Sequence, residues 1–195
     1  MNIYLIRHGE IPQRTPRRFI GQRDLPLTAH GRQQIADLIP FLQTRQVTRL
    51  VCSPLLRCRD SAVIIADALE LQTQVVPDLC EISLGIWEGL TVAEVQEQFP
   101  GNYEARGRDL AGCAPEGGES FQDLLSRVWP AFGMICSGNG DVAVVAHAGV
   151  NRTLLCHILG MALSDVFRLG QDYGCINTIV YDGMYRVERV NWRPF

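Results

Sequence analysis

The sequence predicts an α/β fold: a three-layer α/β/α sandwich whose mainly parallel sheet carries helices on both faces. Two runs, Ile3-Tyr4-Leu5-Ile6 and Val142-Ala143-Val144-Val145-Ala146, are apolar without alternation, as in strands covered on both sides. Between them, apolar residues recur at helical spacing, first at Ile35, Leu38, Ile39 and Leu42, later at Phe121, Leu124, Leu125, Val128 and Phe132. Strands that alternate with helices call for a parallel sheet. A chain of 195 residues with 47% hydrophobic content can bury one such core, so a single domain over 1–195 is expected.

The first strand stops at Arg7, His8 and Gly9. In an open parallel sheet ligands collect beyond the carboxyl ends of the strands, which is where Arg7 and His8 project. A neutral imidazole there can attack phosphorus, and a guanidinium beside it can hold phosphoryl oxygens through its fork of donors. Ile11 to Leu27 is too rich in proline for a helix and carries four arginines. Arg14 and Arg23 are expected to face an anion at the mouth of the crevice, and Arg17 and Arg18 to be solvated. Thr28 suits an N-cap for the first helix, which Pro40 should kink, with His30 on its surface.

Leu50-Val51-Cys52 reads as a second strand, followed by a helix from Leu56 to Leu69 with Ala62, Val63, Ala66 and Leu69 inward. Arg57, in its first turn, reaches the same crevice as His8, where the helix N-terminus adds positive potential, while Arg59 points to solvent. Val75-Val76 is a short strand, Glu88 a loop carboxylate bonding backbone, and Thr91 to Phe99 a short helix. Pro100 to Gly118 reads as a Gly-rich, charged loop forming a partial lid. Glu119 is ambiguous between a structural and a catalytic role, the structural one favoured, and Ser120 with Asp123 reads as the cap of the next helix. The strand at Val142 ends in His147 and is followed by a helix from Asn151 to Leu159, with Cys156 and His157 in packing positions. Asp182-Gly183 suits a type I′ turn between the last two strands.

A net charge of −3 argues against a nucleic-acid or membrane surface, and all 18 basic residues other than histidine are arginine. Seven cysteines without a Cys-x-x-Cys pair read as free thiols of a reducing cytosol, and the start of the chain lacks a signal-peptide pattern, so a cytoplasmic location is expected. A zinc site built from His8, His147 and cysteines lacks a ligand pair at short spacing.

Five motifs carry a family resemblance. They are Arg7-His8-Gly9; Phe19-Ile20-Gly21-Gln22-Arg23 running into Pro26-Leu27-Thr28 and Gly31; Ser53-Pro54-Leu55-Leu56-Arg57; Glu81 through Gly85-Ile86-Trp87-Glu88-Gly89; and Ala146-His147-Ala148-Gly149. Together they resemble the histidine phosphatase superfamily, the phosphoglycerate mutase-like enzymes, over nearly the whole chain. The tail from Gln171 to Cys175 and the hairpin after it are most similar to alpha-ribazole-5′-phosphate phosphatases of the cobalamin pathway.

The resemblance implies a metal-independent phosphomonoesterase without a cofactor. His8 would form a phosphohistidine, Arg7, Arg57 and His147 would neutralise the phosphoryl oxygens, and Glu81 would protonate the leaving group, its pKa raised by the facing dianion. Arg14, Gly21, Gln22, Arg23 and Ala148 would contact substrate, although many family members carry Asn where Arg14 stands. The implied partner is a small anionic phosphomonoester such as alpha-ribazole 5′-phosphate, with the enzyme a monomer or homodimer. The alternatives are a phosphoglycerate mutase-type phosphotransferase and a catalytically silent phospho-ligand binding scaffold. The short lid and the short tail after the final hairpin favour hydrolysis over mutase chemistry.

Overall fold

Tyr4 and Ile6 of the first strand join one apolar cluster while Ile3 and Leu5 join another, so the strand feeds a core on each side of the sheet. The computed structural model describes residues 1–12 and 15–194. Its strands are β1 (Asn2–Arg7), β2 (Val47–Cys52), β3 (Thr73–Val75), β4 (Asp141–Ala146), β5 (Ile176–Tyr181) and β6 (Tyr185–Trp192), in the order β3-β2-β4-β1-β5-β6. The first four of that order pair in parallel, and β5 and β6 add an antiparallel edge.

On one face lie α1 (Ala29–Ala36), α2 (Ile39–Gln43) and α3 (Leu56–Leu69), which bring Ile35, Leu42, Cys58, Ala62 and Ile65 onto Tyr4, Ile6, Leu50 and Val145. The other face is covered by α6 (Phe121–Cys136) and α7 (Ala148–Leu159), whose Leu124, Val128, Phe132, Val150 and Leu154 pack on Ile3, Leu5, Val142 and Val144. Truncating a fully buried leucine such as Leu5 or Leu154 costs about 2–5 kcal/mol. Among the described residues no helix is long and apolar enough to cross a membrane.

Thr28 caps α1, its Oγ1 accepting from Gly31 N. Pro40 does not kink one long helix. Instead α1 ends at Ala36 and Pro40 lies in the first turn of the separate α2, where its missing N–H leaves no bond unmade. In α3 the buried stripe runs through Arg57, Cys58, Ser61, Ala62 and Ile65, and Val63, one residue past it, is exposed.

Residues 100–118 are not all loop. After α4 (Val92–Gln98), with the capping box of Thr91 and Glu94, comes α5 (Pro100–Arg108). Pro100 is suited to its first turn, and buried Arg106 donates to the Cys113 and Glu119 carbonyls. The β5–β6 turn also departs from expectation. Tyr181 pairs with Tyr185 across a three-residue loop, 182–184, rather than with Met184 across two. That register brings the two tyrosine rings together at 4.6 Å, tilted by 35°, and leaves Met184 in solvent, whereas a slip by one residue would reverse the faces.

Candidate active site

The parallel pairing of β1, β4 and β2 continues one residue past each strand. His8 N–H donates to Ala146 O at 3.1 Å and Ser53 N–H to Val145 O at 3.0 Å. The residues that leave these three strands therefore emerge at one edge. Gly9 is required there by crowding: a Cβ on it would lie 2.1 Å from the Gly31 carbonyl, where α1 crosses the strand end. Its N–H donates to Ser61 Oγ of α3, and Ser61 Oγ donates in turn to Arg57 O, which ties the loop after β1 to the helix that carries Arg57.

Buried polar bonds fix both imidazoles. Nδ1 of His8 lies 2.7 Å from Gly9 O. A carbonyl only accepts, so Nδ1 carries the proton and the lone pair sits on Nε2. His147 has the opposite tautomer. Its Nδ1 accepts from Arg57 Nε at 3.2 Å, and its Nε2 donates to Ser53 Oγ at 2.6 Å. The two rings stand 5.3 Å apart between centroids.

Burial, then the Arg57 charge, holds His8 well below the ordinary histidine range, with Arg7 adding to the effect. His147 is held down in the same way by burial, Arg57, His8 and Arg7. Both are neutral near pH 7. Neither arginine finds a carboxylate within ion-pair distance among the described residues. Arg57, only 2% exposed, spends its donors on His147, on Arg23 O at 2.8 Å and on Gly21 O at 2.8 Å. Arg7 lies 3.8 Å over the Tyr173 ring, donates to Gln171 O, and has its Nε buried with no partner among the described residues. A buried Arg57 and a partly buried Arg7 beside a neutral imidazole with its Nε2 lone pair free form a receptor for an anion.

Glu81 reaches this edge from the other side. Its Oε1 accepts from Ile82 N at 2.9 Å and its Oε2 from Gly149 N at 3.1 Å, in the first turn of α7. The loop that carries it is clamped. Arg127 forks onto Glu119 at 2.7 and 2.8 Å and donates to the Asp78, Cys80 and Glu81 carbonyls, while Ser83 and Glu119 exchange backbone and carboxylate bonds. Glu119, ambiguous from its sequence context, has both carboxylate oxygens engaged by Arg127 and Ser83 in this clamp. Glu88 accepts from Gln22 N and Leu84 N, and Gln22 Nε2 donates to Glu81 O, so these two residues join the 20–23 loop to the Glu81 loop.

The structure thus brings His8, Arg7, Arg57, His147 and Glu81 to one edge. Gly21 and Arg23 contribute carbonyls to Arg57, but the Arg23 side chain is exposed and its Nη1 lies against Gly89. Gln22 is used on protein backbone, and Ala148 lines a neighbouring cavity. Arg14 lies outside the described residues. Arg18, expected to be solvated, is only partly exposed: it donates to Gly89 O at 2.7 Å and pairs with Glu94 at 3.1 Å. Arg17, although exposed, also lines that cavity. Sequence reasoning missed Ser53, in the motif that carries Arg57, as the acceptor for His147, and missed Tyr173 and Arg127. Among the described residues no group of three or more His, Cys, Asp or Glu is gathered that could hold a metal ion.

The model of the histidine phosphatase superfamily (branch 1) matches residues 3–193. The adenosylcobalamin/alpha-ribazole phosphatase of Escherichia coli strain K12 is 28% identical over 192 residues, covering 97% of this chain and 95% of the relative. A glucosyl-3-phosphoglycerate phosphatase of Mycolicibacterium vanbaalenii is 32% identical over 172 residues, covering 84% and 76%. The crystal structure of the alpha-ribazole phosphatase from Shigella flexneri superposes with a TM-score of 0.89 at 26% identity, over 98% of this chain and 96% of that one. Three mycobacterial relatives, 34% identical over 194 residues, are longer, and the chain spans 53% of their length. With residues 3–193 matched, the chain belongs to the histidine phosphatase superfamily and is a phosphoric monoester hydrolase of that type.

Proposed function

We propose that the protein hydrolyses small phosphomonoesters in two steps through a phosphohistidine on His8, without a metal or other cofactor. The observation that carries this reading is the bond between His8 Nδ1 and Gly9 O, which leaves the Nε2 lone pair in a site flanked by Arg7, Arg57 and His147. In the first step Nε2 forms a bond to phosphorus as the ester P–O bond breaks. The departing alkoxide takes its proton from Glu81. Charge developing on the phosphoryl oxygens is stabilised by Arg57, Arg7 and the N-terminal turn of α7. In the second step water attacks phosphorus, giving its proton to the Glu81 carboxylate, and the N–P bond breaks to release phosphate and neutral His8.

The substrate class follows the relatives' names: alpha-ribazole 5′-phosphate or another small phosphomonoester, a sugar phosphoglycerate among them. We read the chain as one domain, acting as a monomer or homodimer in the cytoplasm. Its seven cysteines are all free, in keeping with that compartment. The test is hydrolysis of p-nitrophenyl phosphate by the wild type and by His8→Ala. Loss of at least about 10³-fold is expected, since no other group can replace the nucleophile. A variant within tenfold of the wild type would overturn the reading.

A further inference from the structure

Beside the crevice lies a cavity of about 420 Å³ lined by Arg7, Arg17, Arg152 and Arg193, with Gln171, Tyr173 and Asp172 among its other walls. It adjoins the phosphoryl site, because Arg7 belongs to both and Tyr173 packs on Arg7 at 3.8 Å and on His8 at 5.6 Å. In a chain whose net charge is −3, four arginines here face one carboxylate among the described lining residues. That carboxylate, Asp172, lies 3.6 Å from Arg193 and is otherwise engaged with Asn191. Arg152 is held below the ordinary arginine range by burial and by the Arg7 charge, so the cluster repels itself. Like charges kept together in a cavity call for an anion to compensate them.

The walls are also built to stay put. Arg152 Nε donates to Leu169 O at 2.9 Å. Gln171, whose carbonyl takes Arg7, is locked by Asn151 at 3.0 Å and by Asn177 at 2.7 Å, and Asn177 is fixed to Leu5 O in β1. One phosphoryl dianion engages Arg7 and Arg57. It leaves Arg17, Arg152 and Arg193 facing one carboxylate in the cavity wall, Asp172, with Glu81 acting on Arg152 from the neighbouring crevice.

We propose that this cavity is a second anion subsite, so that the preferred substrate carries a further anionic group, carboxylate or phosphate, a short distance from its scissile phosphate. The inference rests on the phosphomonoesterase reading and narrows its substrate class. Arg17 and Arg193 are the residues to replace, since both have solvent access, whereas Arg152 also holds backbone.

The experiment compares kcat/KM for two matched pairs: 3-phosphoglycerate against glycerol 3-phosphate, and fructose 1,6-bisphosphate against fructose 6-phosphate. The wild type should favour the more anionic member of at least one pair by about tenfold or more, the first pair reporting a carboxylate and the second a phosphate. Arg17→Gln and Arg193→Gln should each cut that ratio at least about threefold, through KM. Calorimetric titration of 3-phosphoglycerate and glycerol 3-phosphate into His8→Ala protein, with and without the arginine changes, gives the same comparison without turnover. Ratios near one in the wild type, or ratios that both arginine variants leave unchanged, would overturn the subsite. Hydrolysis of p-nitrophenyl phosphate that does not depend on His8 would instead overturn the phosphohistidine reading, with the binding ratios still deciding the subsite.

Discussion

Arg57 donates through Nε to Nδ1 of His147 at 3.2 Å, while its two terminal nitrogens hold the Arg23 and Gly21 carbonyls. One guanidinium therefore sets the tautomer of the second histidine and the position of the loop over the crevice.

Lysine cannot reproduce that fork. Arg57→Lys should keep the charge but lose the three-way bond, lowering kcat/KM for p-nitrophenyl phosphate by at least about tenfold, and Arg57→Ala by about 10² to 10³-fold. Lysine activity equal to the wild type would mean that charge alone suffices.

The buried histidines predict a pH dependence of stability. Their folded pKa values lie well below the ordinary 6.5, so as pH falls through 6.5 the unfolded chain takes up protons that the folded chain refuses. Stability should be level with respect to these groups above about pH 7 and fall between about pH 6.5 and 5, with a shallower fall in His8→Asn. Denaturant melts of both proteins across that window check this, and parallel slopes would contradict it.

Glu81 is tested by its leaving groups. Glu81→Gln should cost about 10² to 10⁴-fold with sugar phosphates and far less with p-nitrophenyl phosphate, whose phenolate needs little protonation. Gly149→Ala should show the same selectivity, because the new Cβ would lie 2.4 Å from Glu81 Oε1 and must push the carboxylate aside. Equal losses with both substrate types would make Glu81 a positioning group.

The crevice was legible in the sequence because its chemistry sits where unbroken apolar runs stop. Arg7 at the end of β1, His8 just after it, and His147 after β4 could be placed without any knowledge of the loops. The α5 helix was not legible. Its glycines at 101 and 107 lower helix propensity, and it is held by long-range contacts, the Trp87–Tyr103 ring pair at 5.9 Å and the bonds of Arg106. The arginine cavity was hidden for a related reason. Residues 17, 152 and 193 share no local pattern, and only the return of β5 and β6 along β1 brings them together.

Chelator should leave the rate unchanged and vanadate should inhibit, since Arg7 and Arg57 do at this site what metal cations do elsewhere. Released phosphate should account for the substrate consumed, with no interconversion of 2- and 3-phosphoglycerate. Activity lost in chelator and restored by zinc, or mutase turnover matching the hydrolytic rate, would contradict this.

The most direct measurement is the phosphoenzyme itself. Rapid acid-free quenching of wild-type protein during turnover of a ³²P-labelled monoester should trap base-stable, acid-labile label, and peptide mapping should locate it on His8, with none in His8→Ala. Label on another residue, or full turnover with no trapped label under conditions where hydrolysis of the intermediate is slowed, would contradict the account.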